Sequence, residues 1–277
     1  MKLYVVTARK LLSNLFIVAA LAAVIGLNFN QTKSVFKNEA SRKLPIYNVQ
    51  REDKVCAISF DAAWGNEDTH DLIEILKKYN VKATFFVVGD WVDKYPESVK
   101  ELTDAGHDIM NHSNTHPHMT QISKEKMISE VTECDEKIKK ITGKTPNLFR
   151  PPYGDYNDNV VTTLKDIGHY TIQWDVDSLD WKDLSASEIY NRVTGKVKNG
   201  SIVLFHNAAK HTPEALPSIL EKLQGDGYKI IKINDLIYKD NYYMDAAGMQ
   251  VPINKDITPL PDTADDNAKP KTENKKK

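Results

Sequence analysis

Two histidines four positions apart, with carboxylates and an arginine spread along the rest of the chain, have the makings of a hydrolytic metal site. His112 and His116 stand in Asn111-His112-Ser113-Asn114-Thr115-His116, a stretch too rich in Asn, Ser and Thr, and followed by Pro117, to be an apolar helical core. On one helical turn, residues four apart point to the same side, so both rings could reach one divalent ion. Imidazole is a favoured zinc ligand, and a site with few protein ligands leaves positions open for water and substrate. The plainer alternative is a pair of solvated histidines in a polar loop. Asp61 follows the apolar run Val55-Cys56-Ala57-Ile58-Ser59-Phe60 and could take a proton from water as general base, or simply cap a turn. His206 follows Ile202-Val203-Leu204-Phe205 and could give a proton to a leaving group if it stays charged beside a carboxylate. Otherwise it is a core histidine with its hydrogen bonds satisfied. Arg150 opens Arg150-Pro151-Pro152-Tyr153-Gly154 and can fork onto a carboxylate, as a catalytic partner, a structural ion pair or both. The two prolines stiffen that turn, so an amide such as that of Tyr153 can point at a developing oxyanion. Tyr153 and Trp181 are flat apolar surfaces of the kind that line ligand grooves, and equally the kind that fill cores.

Each of these residues follows a stretch that reads as a β-strand. Strands are expected at 55–60, 83–88, 107–110, 148–149, 170–174, 202–205 and 228–231, as short apolar runs ended by polar residues. Between them, apolar residues at helical spacing with start and stop signals predict helices over 70–79, 96–105, 123–141, 157–167, 185–198 and 213–224. Strand and helix alternate throughout, which predicts an α/β fold with a parallel sheet and helical crossovers, most simply closed into a barrel. The spacing is irregular and fewer than eight clear units are present, so the expectation is a distorted (β/α) barrel. In such sheets chemistry collects at the carboxyl ends of strands. Asp61, the histidine pair, Arg150, Asp177-Ser178-Leu179-Asp180-Trp181 and His206-Asn207 all emerge there.

The two ends of the chain differ from its body. Leu11 to Phe29 is nearly all apolar and is preceded by Lys2, Arg9 and Lys10, close to the roughly 20 residues needed to cross a bilayer. No clear small-x-small cleavage site follows, so residues 1–30 are expected to be an uncleaved signal anchor, with a cleaved signal peptide and a secreted body as the alternative. The positive charges before the run place the N-terminus in the cytoplasm and the catalytic body outside, on a single-pass membrane protein. Residues 31–53 read as a polar linker, 54–240 as the catalytic domain, and 241–277 as a polar, disordered tail ending in Lys275-Lys276-Lys277. With 37 Lys and Arg against 38 Asp and Glu, the net charge is -1, which provides no basic field for nucleic acid. Cys56 and Cys134 fall on a buried strand and in mid-helix and are expected to be free thiols. A monomer is the default expectation.

His112-Ser113-Asn114-Thr115-His116, Arg150-Pro151-Pro152-Tyr153-Gly154, Asp177-Ser178-Leu179-Asp180-Trp181 and Leu204-Phe205-His206 resemble, in this order, the motifs of carbohydrate esterase family 4, the NodB-homology polysaccharide deacetylases. The resemblance covers about Val55 to Tyr238. It implies a distorted (β/α) barrel of the NodB-homology type and metal-dependent removal of acetyl groups from N-acetylated sugars. It further implies Asp61 as catalytic base, His112 and His116 as metal ligands and His206 as acid, with Arg150 tuning Asp61 and Asp180 orienting His206. The implied cofactor is a divalent metal, zinc in the first instance and cobalt or another ion as an alternative. One position departs from the pattern. The family opens with two adjacent aspartates, the second a metal ligand, whereas here Phe60-Asp61-Ala62-Ala63-Trp64-Gly65 has alanine in that place and resembles the FDxxWG variant of sporulation-type deacetylases. Asp61 itself, water, or Asp68 could fill the missing position, although Asp68 also reads as a helix N-cap. The expected function is removal of N-acetyl groups from the N-acetylglucosamine or N-acetylmuramic acid of peptidoglycan, a cell-wall polysaccharide partner reached from the membrane. The alternatives are an O-acetyl esterase, a chitooligosaccharide deacetylase, or a glycan-binding wall protein with little or no turnover.

Overall fold

Residues 42–253 are described by a computed structural model. The expected signal anchor or signal peptide at 1–30 lies outside the described residues, as do 254–277 of the expected tail. In chain order the main elements are β1 (Asn48–Val49), β2 (Val55–Ala62), α1 (Thr69–Lys78), β3 (Thr84–Val87), α2 (Gly89–Lys94), α3 (Pro96–Asp104), β4 (Asp108–Asn111), α4 (Lys124–Thr142), β5 (Leu148–Phe149), α5 (Asp158–Asp166), β6 (Tyr170–Thr171), β7 (Val176–Asp177), α6 (Ala186–Thr194), β8 (Ser201–His206), α7 (Thr212–Gly225), β9 (Lys229–Ile231), α8 (Ile233–Leu236), β10 (Tyr242–Met244) and β11 (Met249–Pro252). Among the described residues no helix is long and apolar enough to cross a membrane.

β2 is the axis of the sheet, and all eight of its residues are buried. Successive side chains of a strand point to opposite faces, and the two halves of β2 enter different clusters. Cys56, Ile58, Phe60 and Ala62 pack toward the helices, with Leu72 and Leu76 of α1 and Val99 and Leu102 of α3. Val55 and Ala57 face the inside of the curl with Phe86, Met110, Leu148, Ile172 and Ile202. Ser59 and Asp61 continue this inner set, so alternation alone carries the Asp61 carboxylate inside, at the carboxyl end of the strand.

Parallel pairing runs β8-β2-β3-β4-β5-β6, and β9 also pairs with β2. The extended stretch 170–177 pairs through β6 with β5 and through β7 with β8. The expected distorted barrel therefore takes the form of a curled mixed sheet, with helices outside it. Local signals set the helix ends: Ser123 caps α4 by accepting the Lys126 N–H, and Gly143 closes it at φ 74°. Ser185 and Glu188 form a complete capping box on α6. Both cysteines are free and buried.

The sheet is wider than expected at both ends of the domain. Residues 31–53 were expected to be linker, yet Ile46 is buried and bridges to Ile172, and β1 pairs antiparallel with β8. Residues from 241 were expected to be tail, yet β10 and β11 form a hairpin and β11 pairs with β1. The turn of that hairpin is held by the Asp245 carboxylate, which accepts the N–H groups of Ala247 and Met249. These strands are short: β1 takes its partners β8 and β11 from far along the chain, and the local β10–β11 hairpin joins the sheet through β1. The strand expected over 170–174 is also shorter than read, ending at Thr171.

His107, just before β4, gives the fold a weakness in acid. It is buried, and its Nδ1 accepts the Ala83 N–H at 3.1 Å, which requires that nitrogen to be unprotonated. Burial, with the charge of Lys82, pushes its pKa down to about 4. The folded pKa is thus below the unfolded value, and the unfolded chain binds the extra proton between about pH 6.5 and 4. The stability due to neutral His107 is complete above that window and is lost as pH falls through it. At ~1.36 kcal/mol per pKa unit, roughly 3 kcal/mol should disappear. Urea midpoints measured across this window should fall more steeply for the wild type than for His107→Gln. Equal slopes would remove His107 from the account.

Candidate active site

The tips of β2, β8, β4 and β5 bring the candidate residues together. Asp61 is in register with His206 across β2 and β8. Asn111, which precedes His112, pairs with Phe149, which precedes Arg150. Arg150 is fully buried. Its Nη1 donates to Asp61 Oδ1 at 2.7 Å, and its Nη2 donates to Ser59 Oγ at 2.8 Å and to the Gln173 carbonyl at 3.3 Å. The guanidinium lies 4.1 Å over the Phe86 ring and 5.6 Å from that of Trp174. Burial would push the Asp61 carboxyl up, but the charge and hydrogen bond of Arg150, with a smaller contribution from His206, outweigh it and hold the carboxyl below the usual carboxylate range. Asp61 is therefore a buried carboxylate kept ionised, with one oxygen fixed on Arg150.

The histidine pair is not on a helical turn. Ser113 (φ 69°) and His116 (φ 60°) are left-handed, and the loop between them folds back so that the two rings meet edge-on with centroids 5.0 Å apart. The Ser113 hydroxyl accepts the His116 N–H at 3.0 Å, and Asn111 Oδ1 accepts the Ser113 N–H at 2.7 Å. His112 Nδ1 donates to the Arg150 carbonyl at 2.7 Å. That bond assigns the tautomer: Nε2 keeps its lone pair and faces Asp61 Oδ2 at 3.5 Å. Burial lowers the His112 pKa, and burial with the neighbouring His112 pushes His116 down to about 4. Both rings are neutral near pH 7, the form that binds a metal.

His206 is tuned the other way. Its Nδ1 donates to Asp180 Oδ1 at 2.8 Å, and its own backbone N–H donates to Asp180 Oδ2 at 2.8 Å. Asp180 is held in turn by the Thr212 hydroxyl at 2.7 Å and the Trp181 N–H at 3.0 Å. Burial would lower the imidazole pKa, but the bond and charge of Asp180, with Asp61 and Asp177, raise it. Three aromatic residues stand exposed in the loops above the strand tips: Trp64 (56%), Tyr153 (63%) and Trp181 (55%). Trp64 lies 6.3 Å from the His116 ring and 6.1 Å from that of His206. Tyr153, left-handed at φ 59°, sits 4.6 Å from the His116 ring and stacks on His118 at 4.2 Å. Tyr153 and Trp181 are thus exposed surfaces and not core.

A family model described as polysaccharide deacetylase matches residues 48–172. The peptidoglycan-N-acetylmuramic acid deacetylase PdaA of Bacillus subtilis is 33% identical over 192 residues, covering 68% of this chain and 73% of that protein. The chain belongs to the polysaccharide deacetylase family. Another member, the peptidoglycan-N-acetylmuramic acid deacetylase PdaC of Bacillus subtilis, is 34% identical over 189 residues, which are 68% of this chain and 40% of that one. The chain spans between 40% and 66% of the length of the first curated relatives it matches. Among solved structures, a CE4 family pseudoenzyme from Bacillus anthracis superposes with a TM-score of 0.67 at 37% identity, covering 69% of this chain and 68% of that one.

For a member of the polysaccharide deacetylase family, the metal donors of this chain are sparse. Ala62 is buried in the apolar layer between sheet and helices. Asp68 does not replace the missing carboxylate, nor does its side chain cap α1: Oδ2 accepts the Ala208 N–H at 2.9 Å, on the loop after His206, and Oδ1 is buried without a partner. Among the described residues no group of three or more His, Cys, Asp or Glu is poised to hold a metal. What is present is two neutral imidazoles whose rings converge, one with Nε2 free, and the Asp61 oxygen beside it. Nitrogen and oxygen donors of this kind fit a divalent ion of the zinc type held by His112 and His116, with open positions.

Several residues of the site escaped sequence reading. Ser59 supports Arg150 and Thr212 supports Asp180, while Asn207, read with His206 as a strand-end motif, donates its N–H to the Asp61 carbonyl at 3.1 Å and bonds the Gly65 carbonyl through its side chain. Glu130 is the one that left a trace: it interrupts the buried stripe Met127, Val131, Cys134 and Ile138 of α4.

Proposed function

We propose that this chain is a metal-dependent deacetylase of cell-wall glycan, releasing acetate from the N-acetylated sugars of peptidoglycan. The observation that carries this reading is the opposed tuning of two groups at paired positions of neighbouring strands. Arg150 favours the ionised form of Asp61 and Asp180 favours the protonated form of His206, with the neutral histidine pair beside them. Two titratable groups driven apart by their surroundings are the mark of an acid and base pair. Relatives named as peptidoglycan deacetylases support the substrate class, and the Phe60-Asp61-Ala62-Ala63-Trp64-Gly65 opening resembles that of the sporulation-type variant. The apolar run at 11–29 supports a body held on the outer face of the cell membrane, where that polymer lies.

A divalent ion, when bound by His112 and His116, supplies positive charge that acidifies water and polarises a carbonyl. Asp61 takes the proton of the attacking water, which adds to the acetamide carbonyl carbon. The Tyr153 amide donates to the oxyanion that forms. Arg150 keeps Asp61 in place and ionised. His206, oriented through Nδ1 by Asp180, gives the Nε2 proton to the sugar nitrogen as the carbon–nitrogen bond breaks, so acetate and an amine leave. The exposed rings of Trp64, Tyr153 and Trp181 offer stacking faces to the sugar.

A second reading has a specific observation behind it: Ala62 stands where the family pattern has its metal carboxylate, and one of the similar structures is of a CE4 family pseudoenzyme. On that reading the chain binds glycan without turning it over. Acetate release from purified peptidoglycan separates the two. The wild type should lose release on chelation and regain it with zinc or cobalt, and Asp61→Ala and His116→Ala should each fall by at least about 100-fold. Release by Asp61→Ala at the wild-type rate would defeat the mechanism. A wild type that binds the glycan and releases nothing under any metal would establish the binding reading.

A further inference from the structure

α4 packs against the loop that carries the histidine pair and sends one carboxylate into it. Glu130 is fully buried. Its Oε2 accepts two successive backbone N–H groups, from Asn114 at 3.0 Å and Thr115 at 2.7 Å, and its Oε1 accepts the Thr115 hydroxyl at 2.9 Å. On the solvent side Lys126 Nζ lies 2.9 Å from Oε1. Both amides belong to residues lying between the two histidines. A buried charged acceptor on two N–H groups is a strong interaction, and removing it leaves both donors unpaired.

The loop needs such a hold. Ser113 and His116 are non-glycine residues with positive φ, a conformation that persists only where the surroundings over-determine it. Outside Glu130, the Asn114 side-chain amide donates to Glu133 Oε2 at 2.8 Å, from the same helix, and the backbone of the loop is otherwise held by neutral groups. Asn111 and the Ser113 hydroxyl bond within it, and Gly89 and Asp90 of α2 donate to the Ser113 and Asn114 carbonyls at 2.9 Å. None of these reaches the Thr115 N–H, which rests on Glu130.

We propose that Glu130 is a positioning residue: by holding the Asn114 and Thr115 amides it fixes the left-handed loop that swings the His116 ring against that of His112. Its consequence for metal binding rests on the deacetylase reading above; its effect on the loop does not.

The test uses the full chain with three variants. Glu130→Asp keeps the charge but is one methylene too short. Glu130→Gln keeps a carbonyl oxygen for the two amides and an NH2 for the Thr115 hydroxyl. Lys126→Ala removes only the half-exposed ion-pair partner. Two quantities are measured: amide hydrogen exchange over 113–116, and calorimetric titration with Zn2+ alone. In Glu130→Asp, exchange over 113–116 should speed up at least about 10-fold with the sheet still protected, and zinc affinity should fall about 10–100-fold, the usual effect of losing an outer-shell partner. Glu130→Gln should recover both to within about threefold, well inside that range, and Lys126→Ala should match the wild type. Wild-type exchange over 113–116 in Glu130→Asp would overturn the proposal, as would a Glu130→Gln that folds and exchanges as fast as Glu130→Asp. If the wild type binds no zinc while the loop responds as described, the positioning role stands and the metal reading of the site fails.

Discussion

Arg150→Met should lower folding stability by about 3–5 kcal/mol at neutral pH, the usual cost of removing one partner from a buried ion pair, and should abolish acetate release. Methionine fills much of the space over Phe86 and Trp174, so packing is largely kept and the loss is electrostatic. Asp61 is left as a buried carboxylate without the guanidinium that holds its Oδ1 at 2.7 Å. In the wild type the folded pKa of Asp61 is depressed, so its ion pair contributes stability above the unfolded carboxylate value and loses it as pH falls through the folded value. In the variant, burial, the largest influence on Asp61, loses its main opponent, and the folded pKa rises above the unfolded one. The deficit should then shrink as pH falls and the carboxyl takes up a proton. Adding Asp61→Asn to Arg150→Met should recover most of the loss, because no buried charge remains. Urea midpoints at neutral and acidic pH for the wild type, both single variants and the double variant measure this. A deficit independent of pH, with single effects that simply add, would show that Arg150 stabilises by packing alone.

His206→Gln should lower kcat about 100- to 10,000-fold with KM near the wild-type value, the range expected for losing a general acid. The sharper test is Asp180→Asn. Asp180 raises the His206 pKa through a 2.8 Å bond and its charge, against the lowering effect of burial. A general acid must be protonated to act, so activity falls as pH rises through the His206 pKa. Weakening the partner lowers that pKa, and the alkaline limb of the kcat profile should move to lower pH in Asp180→Asn while the acid limb stays. Asparagine can still accept from the Thr212 hydroxyl or the His206 N–H, so the strand tip should persist. An alkaline limb in the same place in both proteins would mean that another group gives up the proton.

Alternation along β2 and the rule that polar residues gather at strand ends were enough to bring Asp61, His112, Arg150 and His206 to one rim, because face and strand end are properties of a few neighbouring residues. The helix ends at Ser123, Gly143 and Ser185 were legible for the same reason. The four-residue histidine spacing was misleading in detail. It suggested a helical turn, but two left-handed residues, an Asn111–Ser113 bond and a glutamate from another element set the actual path. The place of β1 in the sheet was invisible because it pairs with β11 across some 200 residues of chain, and a two-residue strand gains its order only from its partners; the β10–β11 hairpin pairs locally but is too short to show a clear period. Asp68 kept its place at the start of α1, yet its carboxylate turned to Ala208 on a loop 140 residues away. Residue identity and local period therefore determined which groups carry the chemistry and on which rim. The tertiary fold decided which oxygen each buried donor reaches, and with it which groups are held charged and which neutral, since those bonds join segments that the sequence keeps far apart.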